Sequence, residues 1–431
     1  MNSIGLMATA LAACVLAGCA KPHLASTIRP DRPLHPEIVV PTGPDDALEA
    51  NGVHDVVMVG SNWDGTATIF DPHSFKVITW IDIVPDIADR LADINKSAKR
   101  RGLVRLNRRL AGEGHDQLVD DLFTSNDGRM LYVSRPSFGD VVAINMLTRK
   151  IEWRREVDGG RADHAAITRD GSTLLVSAST RRKVHVINTR DGSGDRSFPS
   201  GDEPHENNFS RDETTIFHAS IGRVFLPVRS KLFLFRKLKG DRWFEIVDAQ
   251  SLKVVRRIDM GQKLKEFGRN LEPAVRPMAV APDERYVYLQ ISFLHGFVEY
   301  DLRQDRVTRI ADLPVTDEIK RLPASRHQLN SAHHGIAINP SGTKLCVAGT
   351  MSGYAAIVHR DNFATQTIDV GEKPYWSTAS ANGENCYVSV SGKDRVSVIS
   401  FDKETAIGSV DVGRHPQRVR SGKMYLGASA R

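Results

Sequence analysis

Histidine recurs at one position of a repeated pattern in this sequence. The chain has 15 His among its 431 residues. His164, His205 and His334 each lie six or seven residues before a short polar turn. Converging imidazoles can bind a divalent metal, and they can also act as general acid and base near neutral pH. If the repeat brings equivalent positions together, these distant residues are predicted to form one polar site.

Residue types at and near this position predict three roles. We predict that His205 and His334 are the catalytic acid and base. A mixed set of imidazole and carboxylate donors predicts a divalent metal held by His164, His333 and Glu206. Guanidinium forks bind carboxylate or phosphate, and flat aromatic rings can stack on sugars. These properties predict substrate-binding roles for Asp121, Arg276, His295, Tyr375, Trp376 and Arg418.

A structural role stays open for each of these histidines taken singly. A histidine just before a strand is often a turn residue that bonds to backbone. The shared repeat position therefore supports the set rather than any one member.

The elements that must position these residues form an internal repeat. Each unit has an apolar strand, a polar turn and a strand of the type Leu-Tyr-Val-Ser, followed by two more short strands. The phrase recurs at residues 122–134, 165–177, 279–289, 336–348 and 377–389. Alternating apolar and polar residues indicate half-buried antiparallel sheets. Four short strands in about 40–45 residues are typical of one blade of a β-propeller.

Seven such units can be counted between residues 54 and 426. The fold class predicted is therefore all-β: a seven-bladed β-propeller with four-stranded antiparallel blades and short helical or loop insertions. The phrases resemble the YVTN-type seven-bladed propeller repeats of exported bacterial proteins. We expect the C-terminal tail to add a strand to the first blade, since an open ring would expose two sheet edges. In such a ring the first strands line a central channel, where the polar residues would meet.

Three insertions interrupt the repeat, at residues 84–114, 222–242 and 315–329. The first contains a basic amphipathic segment that ends in Lys99-Arg100-Arg101. The first two insertions could lie on a lipid surface. We expect instead that they pack against the propeller rim with a solvated charged face.

The N-terminus predicts export. Residues 4–15 form an apolar run that is too short to span a bilayer stably. The run leads into Leu16-Ala17-Gly18-Cys19, which resembles a bacterial lipobox. The resemblance implies a signal peptide at residues 1–18, lipidation of Cys19 and a Pro-rich tether at residues 19–53. An ordinary cleaved secretion signal is the alternative, and either one predicts a cell-envelope protein, lipid-anchored in the first case.

Charge and cysteine content narrow the partners and cofactors. A formal charge of +6 from 58 basic and 52 acidic residues is evenly mixed, which argues against a nucleic-acid partner. No Cys-x-x-Cys-His motif is present, so we predict no c-type haem, and we predict no nucleotide cofactor. Cys346 and Cys386 are offset by one residue when their strands are aligned, so we expect them to face opposite ways. A disulfide between them is the less favoured alternative.

These observations predict an exported propeller whose central mouth binds a small molecule or saccharide. The enzyme form of this prediction is that the protein also cleaves this ligand. The most concrete form is a lyase on a uronate, which needs a base and a clamp or metal that stabilises the enediolate. The main alternative is a non-catalytic scaffold that binds a partner protein or cell-wall ligand. A weaker alternative is a copper-dependent oxidase, since residues 292–301 resemble a segment of selenium-binding-protein-type methanethiol oxidases.

Overall fold

The computed structural model describes residues 52–224 and 238–427. The predicted signal peptide, Cys19 and all but the last two residues of the predicted tether lie outside these ranges. The same is true of residues 225–237 in the middle of the second insertion.

Seven four-stranded antiparallel sheets form the described chain, which confirms the predicted fold class. The first blade contains β1 (Val53–Ser61), β2 (Thr66–Phe70) and β3 (Val77–Asp82). The second contains β4 (Leu122–Thr124), β5 (Met130–Arg135), β6 (Asp140–Asn145) and β7 (Ile151–Glu156). The third contains β8 (Ala162–Ile167), β9 (Thr173–Ala178), β10 (Lys183–Asn188) and β11 (Ser197–Pro199). The fourth contains β12 (Pro204–Phe209), β13 (Thr215–Ser220), β14 (Phe244–Asp248) and β15 (Val254–Ile258).

The remaining blades repeat this order. The fifth contains β16 (Val275–Val280), β17 (Tyr286–Ile291), β18 (Gly296–Asp301) and β19 (Arg306–Asp312). The sixth contains β20 (Ile336–Ile338), β21 (Lys344–Gly349), β22 (Tyr354–His359) and β23 (Thr365–Asp369). The seventh contains β24 (Pro374–Ala379), β25 (Asn385–Val390), β26 (Arg395–Ser400) and β27 (Thr405–Asp411). The last strand, β28 (Pro416–Tyr425), pairs with β1 and completes the first blade.

The pairing of β28 with β1 closes the ring. Val57 lies opposite Ser421 in an antiparallel register, as the sequence predicted for the C-terminal tail. The turn of the second blade fixes the end of this strand, because Tyr425 N donates to Gly128 O at 2.8 Å. Gly128 has a φ of +66°, and a Cβ there would lie 2.5 Å from Tyr425 N. The turn therefore needs glycine both for its backbone conformation and for this close approach.

Apolar side chains fill the spaces between neighbouring blades. Met58, Leu131, Val133 and Val142 belong to one such cluster between the first and second blades. All four are essentially inaccessible to solvent. The hydrophobic effect thus acts mainly between sheets, and the sheets hold the first strands of all blades around one axis.

Cys346 and Cys386 form a disulfide, which contradicts the expectation that they face apart. Their Cα atoms are 6.5 Å apart, and they lie on β21 and β25 in neighbouring blades. The front of one blade packs against the back of the next. Side chains that point opposite ways within their own sheets therefore meet between the sheets, and the offset of one residue favours the bond.

Four helices lie outside the blades in the described ranges. They are α1 (Ile87–Lys96), α2 (Ala98–Leu110), α3 (Met260–Glu266) and α4 (Asp317–Arg321), and two 3₁₀ turns follow at Ala324–Arg326 and Gln328–Asn330. The first two helices contact the rim through Ile94 and Val104, which pack with Phe138. Among the described residues, no helix has the length and apolar character that a bilayer span requires.

Candidate functional site

Side chains from the innermost strands of all seven blades converge around the propeller axis. Each is 6% exposed or less. They lie on or just before β4, β8, β12, β16, β20, β24 and β28: Asp120, Asp121, Asp163, His164, His205, Glu206, Arg276, His334, Tyr375, Trp376 and Arg418. The repeat thus brings most of the predicted site residues together, although their chemical roles stay predictions.

β-Bulges at the starts of the inner strands help to place these side chains. The strand registers shift between Ala162 and Ala165, Pro204 and Asn207, Val275 and Met278, and Pro374 and Trp376. A bulge sets extra residues against one partner residue and re-aims their side chains. His205 and Glu206 lie inside one of these shifts, and both contact His164 although they are consecutive.

His164, His205 and His334 form a compact cluster, called here the axial histidines. The rings of His164 and His205 have centroids 3.5 Å apart, and the His334 ring lies 6.2 and 5.9 Å from them. One ligand nitrogen from each lies within 4.8 Å of the other two. Nδ1 of His205 and Nδ1 of His334 are buried without a hydrogen-bond partner. Three converging imidazoles, two of them with a nitrogen that no described residue pairs, fit the donor set of a zinc or copper site.

Glu206 fixes the orientation of the first axial histidine. His164 Nδ1 lies 2.7 Å from Glu206 Oε2, so the ring donates to the carboxylate from Nδ1. This leaves a lone pair on Nε2, which accepts a hydrogen bond from Arg418 Nη2. A carboxylate behind a histidine is the usual support of a metal ligand. A metal and Arg418 would compete for the same nitrogen.

Burial keeps the axial histidines neutral. It lowers the pKa of His164 and His205 far below the ordinary value, and it acts likewise on His334. Arg418 lowers all three pKa values further, and Arg276 lowers those of His205 and His334, because a nearby positive charge disfavours the imidazolium form. The neutral imidazole is the form that binds metal.

Two carboxylates extend the donor set. Asp120, Asp163 and His164 form a second group whose ligand atoms lie within 4.8 Å of one another. Asp120 Oδ2 is buried without a hydrogen-bond partner and lies 3.7 Å from Arg418 Nη2. Burial raises the pKa of Asp120 well above its usual value, and the carboxylates of Asp163 and Asp121 raise it further. A cation bound at His164 would therefore meet oxygen donors as well as nitrogen donors.

Two arginines and two aromatic rings complete the interior. The Arg418 guanidinium lies over the Trp376 ring, 3.9 Å from its centroid. Arg276 donates to Leu329 O and to Ser331 Oγ. Nε of both arginines and Nη1 of Arg418 have no hydrogen-bond partner among the residues that the structure describes. Buried guanidinium groups with unused N–H donors suit an anionic ligand.

Tyr375 and Asp121 contact neighbouring site residues. The Tyr375 ring stacks on His334, with centroids 4.1 Å apart. Asp121 accepts two hydrogen bonds from Arg420 at 2.9 and 2.8 Å and one from Ala165 N at 3.1 Å. These bonds join the first, second and third blades, so Asp121 stabilises the arrangement of the site.

His333 and His295 lie apart from the axial histidines. His333 Nε2 is 3.2 Å from the Tyr354 hydroxyl, and the His333 ring centroid is 5.8 Å from that of His295. Neither residue belongs to the two potential ligand groups found among the described residues. His333 lies in a bend before β20 and faces Tyr354, whereas His334 faces His164 at the axis. The predicted ligand trio is thus divided: His164 lies at the axis, His333 does not, and Glu206 supports His164 from behind.

Sequence reasoning gave no role to three residues of the site. Asp120 and Asp163 lie at the shared repeat position, seven residues before a polar turn, and were expected at the mouth without an assigned role. Arg420 lies two residues after Arg418 on β28, so strand alternation alone could have placed it on the same face.

Comparison with known proteins supports the architecture and nothing finer. No family model and no curated protein matches the sequence. Among solved structures, the chain is similar to "Kuenenia stuttgartiensis Hydrazine Synthase", with a TM-score of 0.52 and 15% sequence identity. The match covers 69% of this chain and 88% of that chain. At this identity the likeness shows the fold alone, so the evidence for function is the axial site itself.

Proposed function

We propose that the protein binds a divalent transition metal at its axis and acts on a polar, anionic substrate of the cell envelope. The observation that carries the proposal is the cluster of three buried, neutral imidazoles with ligand nitrogens within 4.8 Å of one another. Asp120 and Asp163 add oxygen donors to the nitrogen set. Such a metal would act as a Lewis acid that stabilises negative charge on a substrate oxygen.

The arginines favour an anionic substrate. Arg276 and Arg418 are each 1% exposed and keep N–H groups without hydrogen-bond partners. A carboxylate is the ligand that best matches a guanidinium fork. A saccharide that carries a uronate would supply this carboxylate, and the Trp376 and Tyr375 rings offer flat surfaces for its ring.

A metal-free axial site would leave acid–base chemistry to His205 and His334, because an imidazole whose lone pair binds a metal cannot also accept a proton. With their pKa values lowered by burial and by the arginines, both are weak bases in the free protein. A bound carboxylate would offset the charges of Arg276 and Arg418 and so raise the pKa of these imidazoles. Substrate binding would thus prepare the base for removal of the proton α to the carboxylate, which is the first step of a lyase reaction.

We further propose that the protein is an exported lipoprotein of the YVTN-repeat type, anchored through Cys19. The Cys346–Cys386 disulfide supports export, because such bonds persist in oxidising compartments. Mass spectrometry of the N-terminal peptide from the membrane fraction tests the anchor. We expect a lipid-modified Cys19 as the first residue, and an unmodified N-terminus at another residue would contradict the proposal.

Metal binding and activity test the proposed function. We expect one divalent metal ion per axial site in the purified, tag-free protein, and its loss in His205→Ala and His334→Ala. His73→Ala is the control, because His73 is exposed. Turnover of uronate polysaccharides, measured by the ultraviolet absorbance of the unsaturated product, should fall with the metal. A metal-free protein that binds an envelope ligand equally well in all variants would support a scaffold instead, and selective binding of copper with oxidase activity would support an oxidase.

A further inference from the structure

Helix α2 carries a strongly basic surface. Its 13 residues include Lys99, Arg100, Arg101, Arg105, Arg108 and Arg109, and they include no acidic residue. Lys99, Arg100, Arg105 and Arg109 are exposed. Such a density of positive charge is unusual in a chain whose charge is otherwise evenly mixed.

One face of helix α2 packs against the propeller. Arg101, Val104 and Arg108 follow the i, i+3, i+7 spacing that places residues on one side of a helix. Val104 is 7% exposed and packs with Ile94 and Phe138. Arg108 Nη2 lies 2.6 Å from Asp116 Oδ2. This face accounts for the attachment of the helix to the rim.

A different face presents leucines to solvent. Leu103, Leu106 and Leu110 are 39%, 50% and 40% exposed, and their spacing of three and four residues places them in one stripe. Lys99 lies on the same stripe, four residues before Leu103. Arg100 flanks the stripe on one side and Arg109 on the other. An apolar stripe bordered by basic side chains is the pattern of a helix that lies in a membrane interface.

We propose that α2 docks the propeller on an anionic phospholipid bilayer, with the leucines between the acyl chains and the basic residues at the headgroups. Charge complementarity favours a lipid surface over a protein partner, because the helix has no acidic residue and its cations surround the apolar stripe on both sides. Docking would also bring a cleft of about 650 Å³ next to the lipid, since Arg109 and Leu110 line that cleft. The contact is independent of the axial site and adds a second attachment to the proposed lipid anchor.

Vesicle co-sedimentation tests the docking. The full chain with Cys19→Ser, which removes the proposed lipid, is mixed with vesicles of phosphatidylcholine alone or with added phosphatidylglycerol. We expect binding that requires the anionic lipid and weakens with salt. Each lost basic residue at the lipid face should weaken binding about fivefold, so Lys99→Gln with Arg109→Gln should weaken it roughly 30-fold.

Matched variants separate this contact from general stickiness. Leu103→Gln with Leu106→Gln should reduce binding about tenfold or more, because each leucine loses its apolar burial. The apolar control is Val255→Gln, since Val255 is 63% exposed on β15. The charge control is Arg190→Gln with Lys403→Gln, two exposed basic residues on other blades. The proposal would be overturned if the protein bound neutral vesicles equally well, or if the helix variants and the controls lost binding equally. The metal content of every variant should stay unchanged.

Discussion

His205 and His218 lie on neighbouring strands of one blade, β12 and β13, yet the structure treats them differently. Both are buried, and burial lowers the pKa of each. His218 Nε2 accepts from Ser200 Oγ at 2.7 Å, and its Nδ1 donates to Asn207 Oδ1 at 2.8 Å. His205 keeps its Nδ1 without a partner and lies against His164 instead. Burial therefore does not distinguish these two histidines, whereas an unpaired nitrogen within reach of other ligand nitrogens belongs to His205 alone.

Removal of the His218 ring should lower stability much more than removal of the His205 ring. His218→Ala leaves Ser200 and Asn207 without their partner and opens a cavity, so we expect a loss of about 2–4 kcal/mol in the free energy of unfolding. His205→Ala removes a ring that has an unpaired nitrogen and lies near the positive charges of Arg276 and Arg418. The free energy of unfolding should therefore change by less than about 1 kcal/mol. Chemical denaturation of the metal-free proteins measures both, and equal losses would erase the distinction.

Low pH should lower the free energy of unfolding through His218 and through the axial histidines. A bound metal should stabilise only the axial site. Burial lowers the pKa of His218 and of His333 to about 3 from 6.5. Between these values the unfolded chain binds more protons than the folded one, so stability falls as pH falls below 6.5, by up to about 1.4 kcal/mol per pH unit for each such histidine. The buried carboxyls of Glu203 and Glu206, with pKa values raised to about 7, act in the opposite sense but are fewer than the buried histidines.

We therefore expect the free energy of unfolding to decrease between pH 6 and pH 4. Saturating zinc should raise the free energy of unfolding across this range without reducing the slope, because the metal-bound axial histidines stay unprotonated in the folded protein while they are protonated in the unfolded chain. Denaturation at several pH values with and without zinc makes the comparison. A free energy of unfolding that zinc does not raise, or a slope that zinc reduces, would contradict a metal bound by neutral axial histidines.

Glu206→Gln tests the support behind the axial cluster. The amide keeps the shape of the side chain but removes the charge that orients His164. Loss of such a supporting carboxylate costs roughly 10–100-fold in metal affinity, which isothermal titration with zinc can measure. The matched change Glu245→Gln, at a buried carboxylate that pairs with Arg257 far from the axis, should leave the affinity unchanged. Equal affinities in the two variants would mean that Glu206 has no part in the site.

Arg418→Gln should produce the smallest effect, and its sign is informative. Arg418 donates to the same His164 nitrogen that a metal would bind. Removing its charge should strengthen zinc binding by a few fold, while it weakens binding of a uronate ligand. Paired titrations with zinc and with galacturonate resolve the two effects. Weaker zinc binding in this variant would show that Arg418 supports the metal rather than competes with it.

The repeat made the fold predictable, and only part of the site followed from it. Each blade restates the same alternation of apolar and polar residues, so strands and closure could be read from the sequence. His164, His205 and His334 meet because they occupy equivalent repeat positions. The bulge around His205 and Glu206 depends on backbone register, which single-sequence patterns do not specify.

The expectation for the two cysteines was wrong because their contact depends on two blades at once. The position of Cys346 was judged within its own sheet, although its partner lies on the facing sheet of the next blade. His333 was grouped with the axial residues because, like His334, it lies six or seven residues before the polar turn of the sixth blade. Its contact with Tyr354 depends on how the chain turns before β20, which the pattern does not encode.

Anomalous diffraction from crystals grown with zinc is the most direct test of the axial site. The account predicts a single strong peak on the propeller axis, about 2.0–2.1 Å from one nitrogen of each axial histidine. The same peak should be absent from crystals of His334→Ala. A peak beside His295 and His333, or no peak on the axis at saturating zinc, would contradict the claim that these three imidazoles form a metal site.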